Sequence, residues 1–466
     1  MTTSNPDSRR RRAPWRGALT VVAVLAALVA FACTGDDEPE PEPTTAPVTR
    51  STPRPATATP PPPTLTPTPT ATEGPRRDMP ASSRSTPSPT PTPAATSTPT
   101  PSPTPPPATA TPTPTPTPPT PTPTPEPPRV RPEIEVTGLG RWFNSEPFTI
   151  GEQVSRGNVV LIDFWTYSCI NCVRTLPYLR DWHDKYAEHG LVILGVHRPE
   201  FEFEHSATNV AAAIERLEVT WPVAQDNDSR TWRAFNNRYW PAKYLFDTTG
   251  KIVHTRFGEG AYLKFEEEIR AALTRAGSDV SDIPLGQGDQ ARDPEDRRRQ
   301  TRELYGGYWR IRGSYAAQDE YYLGTDREVE YVDIGDPSER VHDKWYVHGL
   351  WRNEREAIVH ARETTNLEDY FALQFRARSV NVVLDPPPGQ SYEVYITIDG
   401  RPLSADEAGS DVVFDADGNS LIRVTEPRHY AIVELPEFGE HDLRLASNSD
   451  HFGVFALTFG SYLEGP

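Results

Sequence analysis

The chain has 466 residues, of which 36% are hydrophobic and 24% charged, and its formal net charge is −18 at pH 7. That acidic balance, with no basic stripe beyond the N-terminal residues, argues against a nucleic-acid partner. The 52 prolines and three cysteines are spread unevenly, and they divide the chain before any element is read.

Arg9 to Arg12 precede an apolar run from Gly17 to Ala32. A basic segment followed by an apolar one of this length has the form of a secretory signal peptide, here residues 1–32. It is short of the ~20 residues that a membrane-spanning helix needs. An uncleaved N-terminal anchor is the alternative, and either reading exports the rest of the chain. Cys33 closes the run in "ALVAFAC", which resembles the lipobox of bacterial lipoproteins. Ala30 stands where leucine is usual, and Phe31 is large for its place. The resemblance implies cleavage before Cys33 and lipidation of that residue. This would tether the chain to the outer face of a membrane and account for an odd cysteine in an exported protein.

Residues 33–133 form the next segment. Between Asp36 and Pro132 lie 35 of the 52 prolines, in repeats such as "TPTPTPTPPTPTPTP", so almost nothing apolar is available to bury. Proline fixes φ and lacks an N–H, and no core forms. The expected state is a disordered, polyproline-II-like spacer at ~3.1 Å per residue, up to ~300 Å long when extended.

The rest of the chain is too long for one ordinary core and predicts two domains. From 134 to 277 strands and helices alternate. "NVVLIDFW" reads as a continuous apolar strand, as in a sheet covered on both faces. A helix is expected from Cys169 toward His189, interrupted by Pro177. "LVILGVH" is a second buried strand, "TNVAAAIERL" a helix capped by Thr208 or Asn209, "WPVAQD" a short strand and "SRTWRAFN" a helix. "AKYLFDTTGKIVHTRFG" reads as a hairpin turning at Thr248-Thr249-Gly250. "YLKFEEEIRAALTRAG" is an amphipathic helix ending at Gly277. Residues 278–300 are a polar linker whose basic run, Arg297 to Arg299, is solvated. From 301 to 466 the pattern is all-β. "HYAIVEL" and "HDLRLAS" count as two of roughly eight short strands, and Asp399-Gly400 and Asp417-Gly418 mark turns. This spacing suggests a jelly-roll-type sandwich. Trp309, Trp345, Tyr346 and Trp351 are candidates to stack on a sugar or a protein partner, with packing in the sandwich core as the alternative.

"DFWTYSCINCVRTLP" carries the chemistry. Cys169 and Cys172 form a Cys-x-x-Cys pair at the start of a helix after a buried strand, the setting of a redox-active dithiol. At a helix N-terminus Cys169 should have a lowered pKa and attack as the thiolate, with Cys172, one turn inward, as the resolving thiol. Asp163 on the strand beneath should have a raised pKa and accept the Cys172 proton, although a satisfied core carboxylate is the plainer reading. A structural disulfide would close too small a loop to stabilise much. A zinc half-site lacks a second pair of ligands. Thr166 matches the T-x-x-C of a peroxidatic motif, but Ile162 stands where that motif has proline. Glu200, Glu202 and Glu204 in "PEFEFE" either shape a substrate groove or form a solvated acidic loop. No metal or other cofactor is called for.

Asp163, Cys169, Cys172, Pro177 and the Trp240-Pro241 step ahead of a strand resemble thioredoxin, with Pro241 in the place of its cis-proline. The insertion around 207–225 resembles the TlpA-like branch. More closely, "FWTYSCINCVRTLPYL", "GVHRPEFEFE" and "NRYWPAKY" resemble the periplasmic portion of the DipZ family over residues 134 to 466. The resemblance implies a thioredoxin-like α/β domain followed by a carbohydrate-binding-module-like β-sandwich. It also implies thiol–disulfide exchange on protein substrates, reductive in direction and serving cytochrome c biogenesis or thiol repair. Cys169, Cys172, Asp163 and Pro241 would be catalytic, with Trp165, Trp240 and Glu200 contacting substrate. The DipZ family carries a fused membrane domain that supplies electrons. This sequence has no second long apolar run, so a CcdA-like membrane protein is the implied donor. Asn171 replaces the proline that many TlpA-like proteins have before the second cysteine. A cell-surface binding protein, with the sandwich as its working part, is the alternative function.

Overall fold

The computed structural model describes residues 130–290, 293–310 and 315–462. The predicted signal peptide, the lipidation site at Cys33 and all but the last four residues of the Pro/Thr segment lie outside the described residues.

Two short elements open the fold, β1 (Trp142–Phe143) and α1 (Ile150–Ser155). Neither is long enough to show a period, but α1 has a local signature, a capping box between Thr149 and Glu152. β2 (Val159–Trp165) is buried at every position. The helix expected from Cys169 toward His189, with its interruption at Pro177, is two helices, α2 (Ile170–Val173) and α3 (Leu176–Tyr186). Pro177, in the first turn of α3, has no N–H to bond back to the preceding turn, and the helix restarts there. β3 (Leu191–His197), α4 (Ala207–Arg216), β4 (Val223–Gln225), α5 (Arg230–Ala234), β5 (Ala242–Phe246), β6 (Ile252–Phe257) and α6 (Tyr262–Arg275) fall on the expected segments. The cap of α4 is Ser206, which accepts from the Asn209 N–H, rather than Thr208 or Asn209. Gly277, at φ 98°, takes the left-handed conformation just past α6.

The strands form one sheet in the order β1-β4-β3-β2-β5-β6. β2, β3 and β4 are parallel, β5 runs against them, and β6 turns back against β5. Period-two alternation sends Val160, Ile162 and Phe164 to one face, with Ala242, Tyr244 and Phe246. Val159, Leu161 and Trp165 go to the other, under Leu179 and Trp182 of α3 and Ile269 and Leu273 of α6. Asp163 and Lys243 share the phase of this second face, so the fold places two charges in an apolar layer.

After α7 (Pro294–Arg299), which holds the basic run Arg297–Arg299 in its last turn, the chain is β. Its strands are β7 (Leu304–Tyr305), β8 (Glu328–Tyr331), β9 (Trp345–Asn353), β10 (Ile358–His360), β11 (Tyr370–Leu384), β12 (Tyr392–Ile398), β13 (Arg401–Pro402), β14 (Val413–Phe414), β15 (Ser420–Val424), β16 (Arg428–Ala446), β17 (Gly453–Val454) and β18 (Ala456–Gly460). They join in one large antiparallel array. β11 pairs with β9 along its first residues and with β18 along its last, while β16 lies on its other side. "HYAIVEL" and "HDLRLAS" are therefore one 19-residue strand, not two. Its register against β11 jumps from Gly439 to Glu434, so Pro436, which has no N–H to donate, sits in a bulge rather than a turn. The aromatic candidates also divide. Trp345, Tyr346 and Trp351 are buried and unavailable to a sugar ring, whereas Trp309 is 48% exposed.

The two regions pack directly on each other. Phe201 and Phe203, in the loop after β3, meet Phe455 at ring distances of 5.4 and 5.3 Å, and Val383 and Ala456 complete this apolar contact. Burying each such ring contributes roughly 1.5–3 kcal/mol. Charged groups frame it, including Arg216 against Glu426 at 3.5 Å and the Glu202 N–H on Glu356 at 2.8 Å.

Within the β region, Asp369 is a buried hub. Its carboxylate accepts from the Leu350 N–H, His360 and Arg362. Gly349, at φ 94°, lies so close that a Cβ would overlap this carboxylate. We expect Gly349→Ala to destabilise the β region by about 2–4 kcal/mol, from the left-handed backbone and the displaced hub together. Urea unfolding followed by tryptophan fluorescence checks this. A midpoint matching the unsubstituted protein would contradict it.

Candidate active site

The Cys-x-x-Cys pair sits where β2 hands over to α2. Cys169 is the N-cap of α2 and keeps partial exposure, while Cys172 is 1% exposed. Both are free thiols. The Cys169 carbonyl accepts from the Cys172 and Val173 N–H groups at 2.9 and 3.1 Å, which fixes the one-turn spacing of the sulfurs.

Beneath them lies Asp163, 1% exposed, directly opposite Lys243 in the β2–β5 register. Lys243 is equally buried, with its Nζ 3.7 Å from Asp163 Oδ1. That distance suits an ion pair but not a hydrogen bond, and neither atom has a hydrogen-bond partner among the described residues. Burial raises the Asp163 pKa to about 6, and the Lys243 charge limits the rise. Burial lowers the Lys243 pKa, opposed by Asp163. Burial also pushes the Cys172 thiol well above its ordinary value, and the Cys169 sulfur adds to this. The site thus pairs a buried thiol that holds its proton with a carboxyl that titrates near neutrality.

Cys169 departs from expectation. A hydrogen bond from Cys172 lowers its pKa, but burial and the charges of Glu200 and Glu303 outweigh that, and the thiol lies above the ordinary value. The reason is structural. α2 is only four residues long, so it brings little of the dipole that a long helix would have supplied. The nearby carboxylates act in the opposite sense.

Glu204 organises the approach to Cys169. Its side chain is fully buried, and its carboxylate accepts from Thr166 Oγ1 at 2.5 Å and Ser168 Oγ at 2.6 Å. It also accepts from the N–H groups of Ser168, Glu200 and Phe201, at 3.3, 2.5 and 3.0 Å. One carboxylate therefore ties the loop before Cys169 to the loop after β3. Glu200 is 8% exposed, held by Arg310 at 3.1 Å and by the Tyr305 hydroxyl at 2.9 Å. Of the three acids only Glu202 is solvated, which corrects the reading of the whole loop as a solvent-facing one. Thr166, the threonine of the peroxidatic alternative, commits its hydroxyl to Glu204.

The Trp240–Pro241 bond is cis. Trp240 packs against the same apolar cluster as Cys169, and Arg198 and Arg310 lie 5.0 and 5.7 Å from its ring centroid. Among the described residues no cluster of His, Cys, Asp and Glu is arranged to hold a metal ion.

Residues 132–255 match the AhpC/TSA family, and residues 301–460 match the family described as thioredoxin like C-terminal domain. The chain is 32% identical over 279 residues to the DipZ proteins of Mycobacterium bovis and Mycobacterium tuberculosis, a match covering 59% of this chain and 37% of theirs. It is 31% identical over 143 residues to the thiol-disulfide oxidoreductase YkuV of Bacillus subtilis, covering 31% of this chain and 95% of YkuV. A solved thioredoxin-like protein in its oxidized form is 29% identical, covering 32% of this chain and 97% of its own, with a TM-score of 0.28. The chain belongs to the thioredoxin-like thiol–disulfide oxidoreductases.

Within this oxidoreductase, Cys169, Cys172, Asp163 and Trp240 gather around one apolar cluster, and Glu200 borders it. Trp165 does not present itself to a substrate. At 1% exposure it is enclosed by the core, because its β2 position points into the layer beneath α3. Lys243 and Arg310 are the partners that sequence reasoning missed, and it gave Glu204 no role in holding the loop before Cys169. Lys243 had a signal, being the lone charge in "AKYLF" and in phase with Leu245.

The Lys243 charge favours ionised Asp163, so removing it must raise the carboxyl pKa. We expect Lys243→Met to move the Asp163 titration above 6, leaving more of the protonated acid at pH 7. Carboxyl carbon NMR against pH measures this midpoint. A midpoint that stayed or fell would show that Lys243 does not act on Asp163 through its charge.

Proposed function

We propose that this chain is an extracytoplasmic, membrane-tethered thiol–disulfide oxidoreductase that reduces protein disulfides. The supporting observation is the stack of a partly exposed Cys169, a buried Cys172 and a buried Asp163–Lys243 pair. In the forward direction the Cys169 thiolate attacks a substrate disulfide. A mixed disulfide forms, and the first substrate sulfur leaves and takes up a proton. Cys172 then passes its proton to the Asp163 carboxylate and attacks Cys169 sulfur. The second substrate sulfur leaves, and the Cys169–Cys172 disulfide carries the two electrons' worth of oxidation. Pro241 has no N–H, and the backbone beside it offers an edge to an extended substrate segment.

The raised Cys169 pKa supports the reductive direction. A stabilised thiolate favours the reduced dithiol and makes an oxidant. A destabilised one favours the disulfide and makes a reductant. Reductive turnover needs electrons, and a CcdA-like membrane donor is the proposed source. The apolar N-terminal run and Cys33 support export and lipid tethering, and the Pro/Thr segment would let the redox domain range near that donor.

The division of labour between the thiols gives a direct test. Cys169→Ala should abolish reduction of insulin in the presence of dithiothreitol. Cys172→Ala should keep the first attack but accumulate mixed disulfides, seen as higher-mass species that dithiothreitol releases. Trapping by the Cys169 variant instead would reverse the assignment. Mass spectrometry of the mature N-terminus tests the tether, with a diacylated Cys33 expected. An unmodified N-terminus at another residue would remove the lipid anchor.

A further inference from the structure

A cavity of about 410 Å³ opens beside the Trp240–Pro241 step, at the border of the two packed regions. Its walls are aromatic and its charge is cationic, unlike the acidic molecule around it. Trp240 forms one wall, with the Arg198 guanidinium 5.0 Å and the Arg310 guanidinium 5.7 Å from its ring centroid. Trp232 lies 4.5 Å from Trp240, ring to ring, and Arg198 is 5.3 Å from it as well. From the β region, Arg310 also lies 5.0 Å from Trp309, the one exposed aromatic of the four proposed to stack on ligands. Arg238 adds a third guanidinium at the rim.

The cationic charge is incompletely matched. Arg310 pairs with Glu200, but its buried Nε has no partner among the described residues. Arg198 makes one side-chain hydrogen bond, Nε to Ser229 Oγ at 3.0 Å, and among the described residues it forms no ion pair. Burial lowers the Arg198 pKa and the nearby Arg310 guanidinium adds to this, while Glu200, Asp226 and Glu204 oppose it without pairing with Arg198. Two guanidiniums crowded on one indole form a fork that fits a carboxylate, whose charge would relieve their repulsion. Aromatic walls exclude water and strengthen such a contact.

We propose that this cavity is a specificity pocket for an acidic residue of the polypeptide substrate, close in sequence to the cysteine that Cys169 attacks. The proposal rests on the thiol–disulfide reading for the identity of that cysteine, and the cavity sits where the substrate backbone would run along Trp240. The β region then reads substrate sequence through Arg310 and Trp309, in addition to packing on the redox region.

The test separates binding from chemistry. Two fluorescein-labelled octapeptides carry serine in place of cysteine, flanked by two glutamates in one and two glutamines in the other. Anisotropy on the protein with its signal segment removed should show the glutamate peptide binding about tenfold more tightly. Arg198→Gln should bring that ratio close to one, while Arg233→Gln, an exposed arginine of α5 outside the cavity, should keep it. Equal binding of the two peptides, or loss of the ratio in the Arg233 variant too, would overturn the pocket. Competition by glutathione disulfide as strong as that of the glutamate peptide would overturn its assignment to polypeptides. The cysteine-containing versions of both peptides, as mixed disulfides, then report turnover. Selective binding without any turnover would leave the pocket standing and count against the redox reading instead.

Discussion

The Glu204 carboxylate is the interaction on which the rest of the site depends. It takes five hydrogen bonds in a fully buried position, two from hydroxyls and three from backbone N–H groups. Burial of a carboxylate is costly unless its lone pairs are filled, and here the fold fills them. The donors come from two loops. Thr166 and Ser168 set the height of Cys169, while Glu200 and Phe201 begin the segment that meets the β region. One side chain thereby holds the Cys169 loop and the domain contact in a single geometry.

The second region is consequently part of the site's electrostatics. Tyr305 and Arg310 come from beyond residue 300, and both reach Glu200, whose charge acts on Cys169. A thioredoxin-like domain alone would leave Glu200 at the surface, where solvent would screen it. Docking on the β region encloses Glu200 and keeps its influence on the thiol. Sequence similarity follows the same division, with one family match on each side of the contact.

Much of this was legible in the residues. The Cys-x-x-Cys after an apolar strand, the alternation of elements from 159 to 275 and the Trp240-Pro241 step all rest on local patterns, and the structure has each of them. What was not legible depended on distant contacts. The three acids of "PEFEFE" look alike in sequence, yet two are buried and one is solvated. Burial of Trp345 and Trp351 follows from the pairing of β9 with β11 at Trp345 and with β8 and β10 at Trp351, which no single strand reveals. "HYAIVEL" and "HDLRLAS" read as two strands because the bulge at Pro436 between them is set by the register against β11, which lies elsewhere in the chain. The lowered Cys169 pKa was expected from its place at a helix N-terminus, but α2 is four residues long, and burial with Glu200 and Glu303, distant in sequence, acts the other way.

Charge placement connects these observations. The molecule is acidic overall, and its acids reach inward at Asp163, Glu200 and Glu204. Each is answered differently. Asp163 faces a buried lysine, Glu200 an arginine and a phenol, and Glu204 only neutral hydrogen bonds. Neutral donors hold a carboxylate without cancelling its charge, so Glu204 organises the loops without an ion pair. Lys243 does the reverse beneath Cys172, where a proton must leave. The arginines around Trp240 line the cavity at the border of the two regions, and one of them, Arg310, pairs with Glu200. The Glu200 and Glu303 charges that help raise the Cys169 pKa would repel an acidic substrate segment, and a local cationic wall is what lets such a segment approach.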